Sequence, residues 1–275
     1  MANSSFTFVR QQGSRRRFST DLLKTLGSTP GASEKWLFVS PHDDDLCIGA
    51  GLWIQAAMAA GVEVHVLILT DGAMGYCTLA QRKTIVRVRE GETYASFATL
   101  GVARQRIRYG GFPDSGLAGV QGRRRARRGE PQIAGYTGLA NTLTWHLRRV
   151  RPTRVLVPTL TDLHPDHQVT YRELLISLFH ASGAIWPELG KPMPVVPKVY
   201  EMAVYCDFAA PPNLGIRSGP GPFQRKLDSV AAYRSQEQIE QIVDQVKQAG
   251  PYEFLREVEF RLYSAKTYMP MFQGR

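Results

Sequence analysis

The chain has 275 residues, of which 43% are apolar and 21% are charged, a composition typical of a soluble globular protein. The sequence contains no run of about 18 apolar residues, so we expect no membrane-spanning helix. Residues 1–20 lack the apolar region of a secretory signal. Three isolated cysteines without a CxxC pair argue against a disulfide framework and a thiolate zinc site. We therefore expect a cytoplasmic protein.

The formal net charge of +10 is concentrated in two short segments. Four arginines lie within residues 10–17 and five lie within Arg123–Arg128, which leaves the rest of the chain close to neutral. Such segments are usually solvated, and contact with phosphates is the minority interpretation. No aromatic interleaving or helix-turn-helix pattern accompanies them, so we expect no nucleic-acid binding.

Helices and strands are predicted to alternate through the first two thirds of the chain. Residues 1–33 are predicted to form a basic N-terminal arm with a short helix near Asp21–Thr25. The predicted strands are 35–40, 62–69, 106–109 and 154–158, and the predicted helices are 46–60, 81–100, 136–150 and 168–181. This alternation predicts an α/β, Rossmann-like fold with a mostly parallel sheet and helices on both faces.

The remaining segments are less regular. Gly110–Gly135 is predicted to be a long loop, which in a compact domain is usually functional or mobile. After Pro187 we expect a C-terminal elaboration, with a strand at 199–205 and helices at 222–234 and 236–247 separated by a kink near Ser235. Residues 252–268 mix helix and strand signals. We expect residues 34–275 to form a single domain.

Two polar clusters follow buried strands. Residues 41–45 read Pro-His-Asp-Asp-Asp after the apolar run 36–39, and residues 164–167 read His-Pro-Asp-His after the run 155–157. Ligands in such sheets bind beyond the carboxyl ends of the strands, where both clusters lie. Imidazoles and carboxylates held together at this edge predict one divalent metal site assembled by folding.

The spacing assigns roles to these side chains. His42 and Asp45 can reach one ion from a strand-to-helix turn, and His167 can supply the third ligand, which leaves a position for water. This donor set suits Zn²⁺ and also fits Fe²⁺. Asp44 is the candidate general base for the attacking water.

The second cluster supplies the remaining chemistry. A protonated His164 could stabilise the oxyanion, and Asp166 could hold His164 charged and oriented. The reaction class is metal-assisted hydrolysis of an amide or ester. Asp43 could cap the helix that follows. His65, His146 and His180 lie inside regular segments without acidic cluster partners and are expected to be structural.

Several motifs resemble those of the PIG-L/LmbE-like N-acetylglucosaminyl deacetylases. The two histidine clusters resemble the family's His-Pro-Asp-Asp and His-Pro-Asp-His segments. The further matches are Thr70-Asp71-Gly72, Arg89-Glu90-Gly91-Glu92, Leu100-Gly101-Val102, Phe112 to Leu117, and Lys226 with Ser235-Gln236. The resemblance spans roughly residues 35–240.

The resemblance implies a zinc-dependent N-deacetylase acting on an N-acetylglucosamine-type sugar or glycoconjugate. It implies that His42, Asp45 and His167 bind zinc, that Asp44 is the general base, and that His164 polarises the tetrahedral intermediate. It also places Arg89 and Asp114 at sugar-binding positions. Three residues depart from the family pattern. Asp43 replaces the proline, Leu46 replaces a common acidic residue, and Asp162 stands where the thiol-sugar deacetylases keep a tyrosine.

Other functions are compatible with the same residues. A non-catalytic sugar- or nucleotide-binding module is one, although no G-x-G-x-x-G follows the first strand. A metal-dependent amidase for a different acyl amide is another. Homo-oligomerisation is compatible with either.

Overall fold

The computed structural model describes residues 5–272, which fold around one nine-stranded sheet. The strands of the chain are β1 Phe6–Gln12, β2 Arg15–Ser19, β3 Lys35–Ser40, β4 Glu63–Thr70, β5 Ile107–Phe112, β6 Arg124–Arg125, β7 Tyr136–Thr137, β8 Arg154–Pro158, β9 Lys198–Met202, β10 Leu214–Ser218 and β11 Tyr252–Val258. The sheet order is β2-β1-β10-β11-β9-β8-β3-β4-β5, while β6 and β7 form a separate ribbon.

The sheet has a parallel half and an antiparallel half. β3 pairs in parallel with β4 and β8, β4 with β5, and β8 with β9. The strands β11, β10, β1 and β2 continue the sheet in antiparallel fashion. The predicted fold class is therefore confirmed, with the five parallel strands β9-β8-β3-β4-β5 forming one half of the sheet.

Helices cover both faces of the parallel half. They are α1 Leu22–Thr25, α2 Asp45–Ala59, α3 Ile85–Thr99, α4 Leu139–Val150, α5 Pro165–Ser182, α6 Pro220–Ala231 and α7 Ile239–Ala249. Short 3-10 helices occupy Gln81–Lys83, Arg104–Arg106, Leu117–Val120, Pro187–Leu189 and Ala265–Phe272. Within residues 5–272, none of the helices is both long and apolar enough to cross a membrane.

The central strands are apolar on both faces because each face packs against its own core. Trp36 and Phe38 of β3 belong to one hydrophobic cluster, together with residues of α2. Leu37 and Val39 belong to the other cluster, together with residues of α4 and α5. Alternate residues of one strand point to opposite faces, so a continuous apolar run satisfies both layers.

The predicted N-terminal arm is partly wrong. Residues 6–19 form the hairpin β1–β2, and β1 pairs with β10, a strand that the sequence did not predict. Phe6 and Phe8 point into the core, and this burial fixes the segment to the sheet. The expected short helix is present, and the Asp21 side chain caps it by accepting from the Lys24 amide at 2.9 Å.

Two other segments are more ordered than the sequence suggested. The long arginine-rich loop contains the β6–β7 ribbon, in which Arg124 pairs with Glu130 and the Arg123 guanidinium lies 3.5 Å from the Tyr136 ring centre. The ambiguous C-terminal segment provides β11 and the last 3-10 helix.

Helix α2 is interrupted just after the first polar cluster. Ala50 has non-helical angles (φ −142°, ψ 16°), so the amides of Leu52 and Trp53 begin a second helical segment. Both amides donate to the buried Glu253 carboxylate at 3.0–3.2 Å, and Lys226 pairs with the same carboxylate at 2.7 Å. A charge held by helix amides and a counter-ion stabilises this break.

We predict that Glu253→Gln lowers the free energy of unfolding by about 3–5 kcal/mol, since it leaves the buried Lys226 ammonium without its counter-ion. Chemical denaturation measures this loss. Lys198→Ala, which breaks an exposed pair with Glu257 at 3.8 Å, is the control and should cost at most about 1 kcal/mol. A similar small cost for Glu253→Gln would contradict the capping role.

Candidate functional site

The site lies where five parallel strands end side by side. The segment after β3 carries His42 to Asp45, and the segment after β8 carries Asp162 to His167. The segments after β4, β5 and β9 carry one residue of the site each: Asp71, Asp114 and Tyr205 in that order. Because the carboxyl ends of parallel strands meet at one edge, residues far apart in sequence converge there. Gly49 permits the close packing of α2 at this edge, as a Cβ on it would lie 2.7 Å from the Ala203 carbonyl oxygen.

Asp45 is the fully buried centre of the site. Its Oδ2 accepts hydrogen bonds from the His42 amide at 2.9 Å and from the Ser40 hydroxyl at 2.8 Å. Its Oδ1 lies 3.3 Å from His167 Nε2 and has no hydrogen-bond partner among the described residues. A buried carboxylate oxygen without a partner is costly, which marks Oδ1 as a position for a cation.

The three predicted ligands lie at mutual distances that suit a small ion. His167 Nε2 is 3.3 Å from His42 Nδ1 and 3.3 Å from Asp45 Oδ1, the oxygen without a partner. His42 Nδ1 lies 3.3 Å from the other oxygen of Asp45, Oδ2. Ligand atoms about 2.0–2.1 Å from a tetrahedral zinc are about 3.3 Å apart. The donor set therefore fits zinc, and the assignment of these three ligands remains a prediction.

The same region offers two further donor groups. Atoms of His42, His164 and His167 all lie within 4.8 Å of one another, as do atoms of His42, Asp114 and Asp166. His42 belongs to both groups because its Nδ1 lies 3.3 Å from His167 Nε2, while its Nε2 lies 3.5 Å from Asp114 and from Asp166. A carboxylate beside the second ring nitrogen typically orients a metal-binding histidine.

The electrostatics of the site favour bound positive charge. Burial alone would lower the pKa of His42, but Asp45, Asp166 and Asp44 together raise it to about 11. Burial alone would raise the pKa of Asp45, but His167 and His42 hold it well below its usual range. A divalent cation would replace the imidazole protons, since a metal ligand must be deprotonated.

Asp162 and Tyr205 support His167, and sequence reasoning gave neither a role. The buried Asp162 Oδ2 lies 3.2 Å from His167 Nδ1, which leaves Nε2 to face the cluster. The same carboxylate accepts from the Tyr205 amide at 3.1 Å, and the Tyr205 ring stacks on the His167 ring with centroids 5.2 Å apart. Asp162 was visible in the sequence only as a departure from the family tyrosine.

His164 and Asp166 interact differently from the sequence prediction. His164 caps α5, its Nδ1 accepting the Asp166 amide at 3.2 Å, so its neutral form carries the proton on Nε2. Burial and the nearby His42 and His167 lower the pKa of His164. The Asp166 carboxylate faces His42 and accepts from the Leu117 amide. Its charge raises the pKa of His164, but burial and the two other histidines outweigh this effect.

Asp44 is buried at the edge of a cavity. Its Oδ2 accepts from Gln236 Nε2 at 2.5 Å and lies 3.4 Å from Arg89 Nη2. Both contacts fall on Oδ2, so Oδ1 is the oxygen available to a water molecule. Gln236 belongs to the late Ser-Gln pattern of the sequence, and this contact gives that pattern a physical role.

Asp43 pairs with Arg89 and does not cap the helix. Arg89 donates to Asp43 from Nε at 3.0 Å and from Nη2 at 2.5 Å, and the arginine is only 4% exposed. A bidentate pair of this kind is strong and geometrically specific. The predicted sugar-binding arginine is therefore engaged with the residue that replaces the family proline.

Asp114, the other predicted sugar-binding residue, lies inside the site. Its Oδ2 accepts from the Met74 amide at 3.1 Å, and its Oδ1 is 3.5 Å from His42 Nε2. Asp71 fixes this loop by accepting from the Asp114 amide at 3.2 Å. Asp114 is thus placed beside the candidate metal centre.

Comparison with known proteins agrees with these observations. Residues 37–177 match the PIG-L family, described as GlcNAc-PI de-N-acetylase. The chain belongs to this family. Both histidine clusters lie within the matched segment, so the family resemblance found in the sequence is confirmed.

A curated relative from Mycolicibacterium gilvum is named 1D-myo-inositol 2-acetamido-2-deoxy-alpha-D-glucopyranoside deacetylase. It is 34% identical over 148 residues, which cover 50% of this chain and 51% of the relative. The chain spans little more than half the length of the curated relatives that it matches.

Two solved structures share the fold. The N,N'-diacetylchitobiose deacetylase from Pyrococcus horikoshii has a TM-score of 0.64 at 22% identity, over 82% of this chain and 84% of that one. The 4-carboxy-2-hydroxymuconate hydratase from Pseudomonas putida KT2440 has a TM-score of 0.59 at 19% identity, over 84% and 98%. One fold thus carries two reactions, and function must be argued from the site.

We predict that His167→Ala abolishes most zinc binding, because it removes one imidazole and leaves only His42 and Asp45 of the three proposed ligands. Metal analysis of the purified protein measures the zinc content, and the EDTA-induced fall in Tm should shrink in parallel. His65→Ala, which removes a half-buried histidine outside the site, is the control. Full zinc occupancy in His167→Ala would exclude His167 as a ligand.

Proposed function

We propose that this protein hydrolyses the acetamide of an N-acetylglucosamine-type sugar or glycoconjugate with the help of a divalent metal. The single observation that carries the proposal is the placement of a buried carboxylate, Asp44, directly beside a donor cluster that fits zinc. Membership of the PIG-L family and the deacetylase named among its curated relatives support the same chemistry.

The metal would be held by His42, Asp45 and His167. When bound, a divalent ion supplies Lewis-acid polarisation of the amide carbonyl and lowers the pKa of the attacking water. Zn²⁺ is the proposed ion, and Fe²⁺ suits the same two imidazoles and one carboxylate. Asp162 and Asp166 lie behind two of the ligands and orient them, a function that outer carboxylates commonly serve.

Asp44 is the proposed general base. Gln236 and Arg89 hold its Oδ2, so the carboxylate presents Oδ1 in a fixed direction. As water adds to the acetamide carbon, Asp44 accepts its proton. The same proton then passes to the departing nitrogen, so that the C–N bond breaks to give acetate and a free amine.

His164 is the proposed stabiliser of the developing oxyanion. Its Nδ1 is occupied by the Asp166 amide, so its Nε2 can donate a hydrogen bond to the carbonyl oxygen while the ring stays neutral. A preorganised donor of this kind stabilises charge that appears only in the transition state. His164 is therefore proposed to act as a donor in its neutral form, whereas the sequence prediction had Asp166 holding it charged and oriented.

Asp114 is proposed to contact the substrate from the opposite side of the cluster. Its carboxylate is about one-tenth exposed and adjoins His42, so it can accept a hydrogen bond from a sugar hydroxyl close to the reacting amide. Arg89 is proposed to position Asp44 and not to contact the sugar, because its guanidinium is buried against Asp43 and Asp44.

We predict that Asp44→Asn lowers kcat for amine release from N-acetylglucosamine substrates by about 10²–10⁴-fold while zinc content stays unchanged, because the amide cannot accept the proton of water. Amine release from a panel of N-acetylated sugars and other acyl amides measures kcat. Asp228→Asn, an exposed residue of α6, is the control. Undiminished turnover in Asp44→Asn excludes it as the base, and no release from any wild-type substrate overturns the proposed function.

A further inference from the structure

The segment between α6 and α7 lies against the first polar cluster. We call it the α6–α7 linker, residues 232–238. The buried Tyr233 hydroxyl donates to the Asp43 carbonyl at 2.5 Å, and Gln236 Nε2 donates to Asp44 Oδ2 at 2.5 Å. Among residues 5–272, Gln236 is the hydrogen-bond donor to the Asp44 carboxylate. The direction of the proposed base therefore depends on where the linker lies.

One side of the α6–α7 linker faces open space. Gln236, Glu237 and Gln238 line a cavity of about 790 Å³ beside Asp44. A glutamine side chain has several rotatable bonds, and holding it in one rotamer costs conformational entropy. Gln236 therefore holds Asp44 in one direction only if other contacts fix the backbone of the linker.

Glu92 of α3 supplies such a contact from the other side of the linker. Its Oε1 accepts from the Ser235 amide at 2.7 Å, and its Oε2 accepts from the Ser235 hydroxyl at 2.6 Å. Hydrogen bonds to an ionised carboxylate are roughly twice as strong as neutral ones, and a pair of them also fixes the orientation of the partner. Because Ser235 directly precedes Gln236, Glu92 fixes the backbone from which Gln236 reaches Asp44.

Glu92 and Arg89 act on the proposed base from the same helix. They are three residues apart, so both lie on one face of α3. Arg89 Nη2 lies 3.4 Å from Asp44 Oδ2, the oxygen that also accepts from Gln236. The guanidinium itself donates two hydrogen bonds to Asp43. Helix α3 thus reaches Asp44 by two routes, directly through Arg89 and indirectly through Glu92 and the linker.

We propose that Glu92 is a positioning residue for the general base. Glu92 fixes Ser235, and Gln236 then holds Oδ2 of Asp44 so that Oδ1 faces the attacking water. This inference rests on the proposed function and adds to it a residue that acts without contacting Asp44 itself. A displacement of about 1 Å at a reacting group can cost about 10²-fold in rate, so loss of Glu92 should lower kcat.

The test compares Glu92→Ala with Glu90→Ala in amine release from N-acetylglucosamine substrates. We expect Glu92→Ala to lower kcat by about 10–100-fold while KM and zinc content stay unchanged, because the proposed metal ligands and Asp114 are left in place. Glu92→Gln keeps an acceptor for the Ser235 amide and should recover most of the kcat.

Glu90→Ala is the matched control. Glu90 is also a half-buried glutamate of α3, but it accepts from the Tyr94 hydroxyl of its own helix at 2.9 Å. We expect its kcat to equal that of the wild type. An equal loss of kcat in Glu90→Ala, or wild-type kcat in Glu92→Ala, would overturn the inference.

A double-mutant cycle with Gln236→Ala distinguishes positioning from a general loss of structure. If Glu92 acts through Gln236, adding Glu92→Ala to Gln236→Ala should lower kcat by less than about two-fold, since the two residues belong to one network. A further loss as large as that of the single variant would refute the proposal. If Glu92→Ala does not fold, Ser235→Ala tests the same contact: a lower kcat at unchanged KM supports it, and wild-type kcat refutes it.

A failure of the proposed function is recognised separately. If the wild-type protein releases amine from no substrate, that function is wrong, and crystal structures of Glu92→Ala and Glu90→Ala then decide the positioning. Loss of the hydrogen bond between Gln236 and Asp44 in Glu92→Ala alone supports it. A retained hydrogen bond in Glu92→Ala, or its loss in both variants, refutes it.

Discussion

The structure depends on the neutralisation of three adjacent carboxylates that are buried at the end of one strand. Asp43, Asp44 and Asp45 are each at most 5% exposed, and buried charges of one sign repel each other strongly unless cations lie beside them. Arg89 from α3 neutralises Asp43 and reaches Asp44. Asp45 faces two imidazoles, one from each histidine cluster. Asp43 and Asp44 thus share Arg89, while Asp45 is paired with the two imidazoles.

This division explains the arrangement of the surrounding elements. The Asp43–Arg89 pair ties α3 to the start of α2, and Tyr233 donates to the Asp43 carbonyl from the end of α6 at 2.5 Å. Asp162 fixes the loop after β8 to the segment after β9. A metal bound by His42, Asp45 and His167 would join the segment after β3 to the segment after β8. The geometry of the candidate site and the packing of the sheet edge therefore depend on the same contacts.

The sequence predicted the features that arise from local patterns. Apolar runs such as 36–39 and 155–157 indicated the parallel strands, and the clusters that follow them indicated the site. The hairpin β1–β2 escaped prediction because its pairing with β10 joins residues about 200 positions apart. Its arginines suggested a solvated arm, although the side chains of Phe6 and Phe8 are buried in the core. Long-range pairing has no local sequence signal.

The same limit applied to the partners of the site residues. The pairing of Asp43 with Arg89 and of Asp166 with His42 depends on how α3 and α5 approach the sheet, which residue spacing does not specify.

The proposed metal site is tested most directly by anomalous diffraction at the zinc edge from zinc-soaked crystals. We predict one peak, about 2.0–2.2 Å from His42 Nδ1, Asp45 Oδ1 and His167 Nε2. A peak between His42 Nε2, Asp114 and Asp166, or no peak at the cluster, would contradict it.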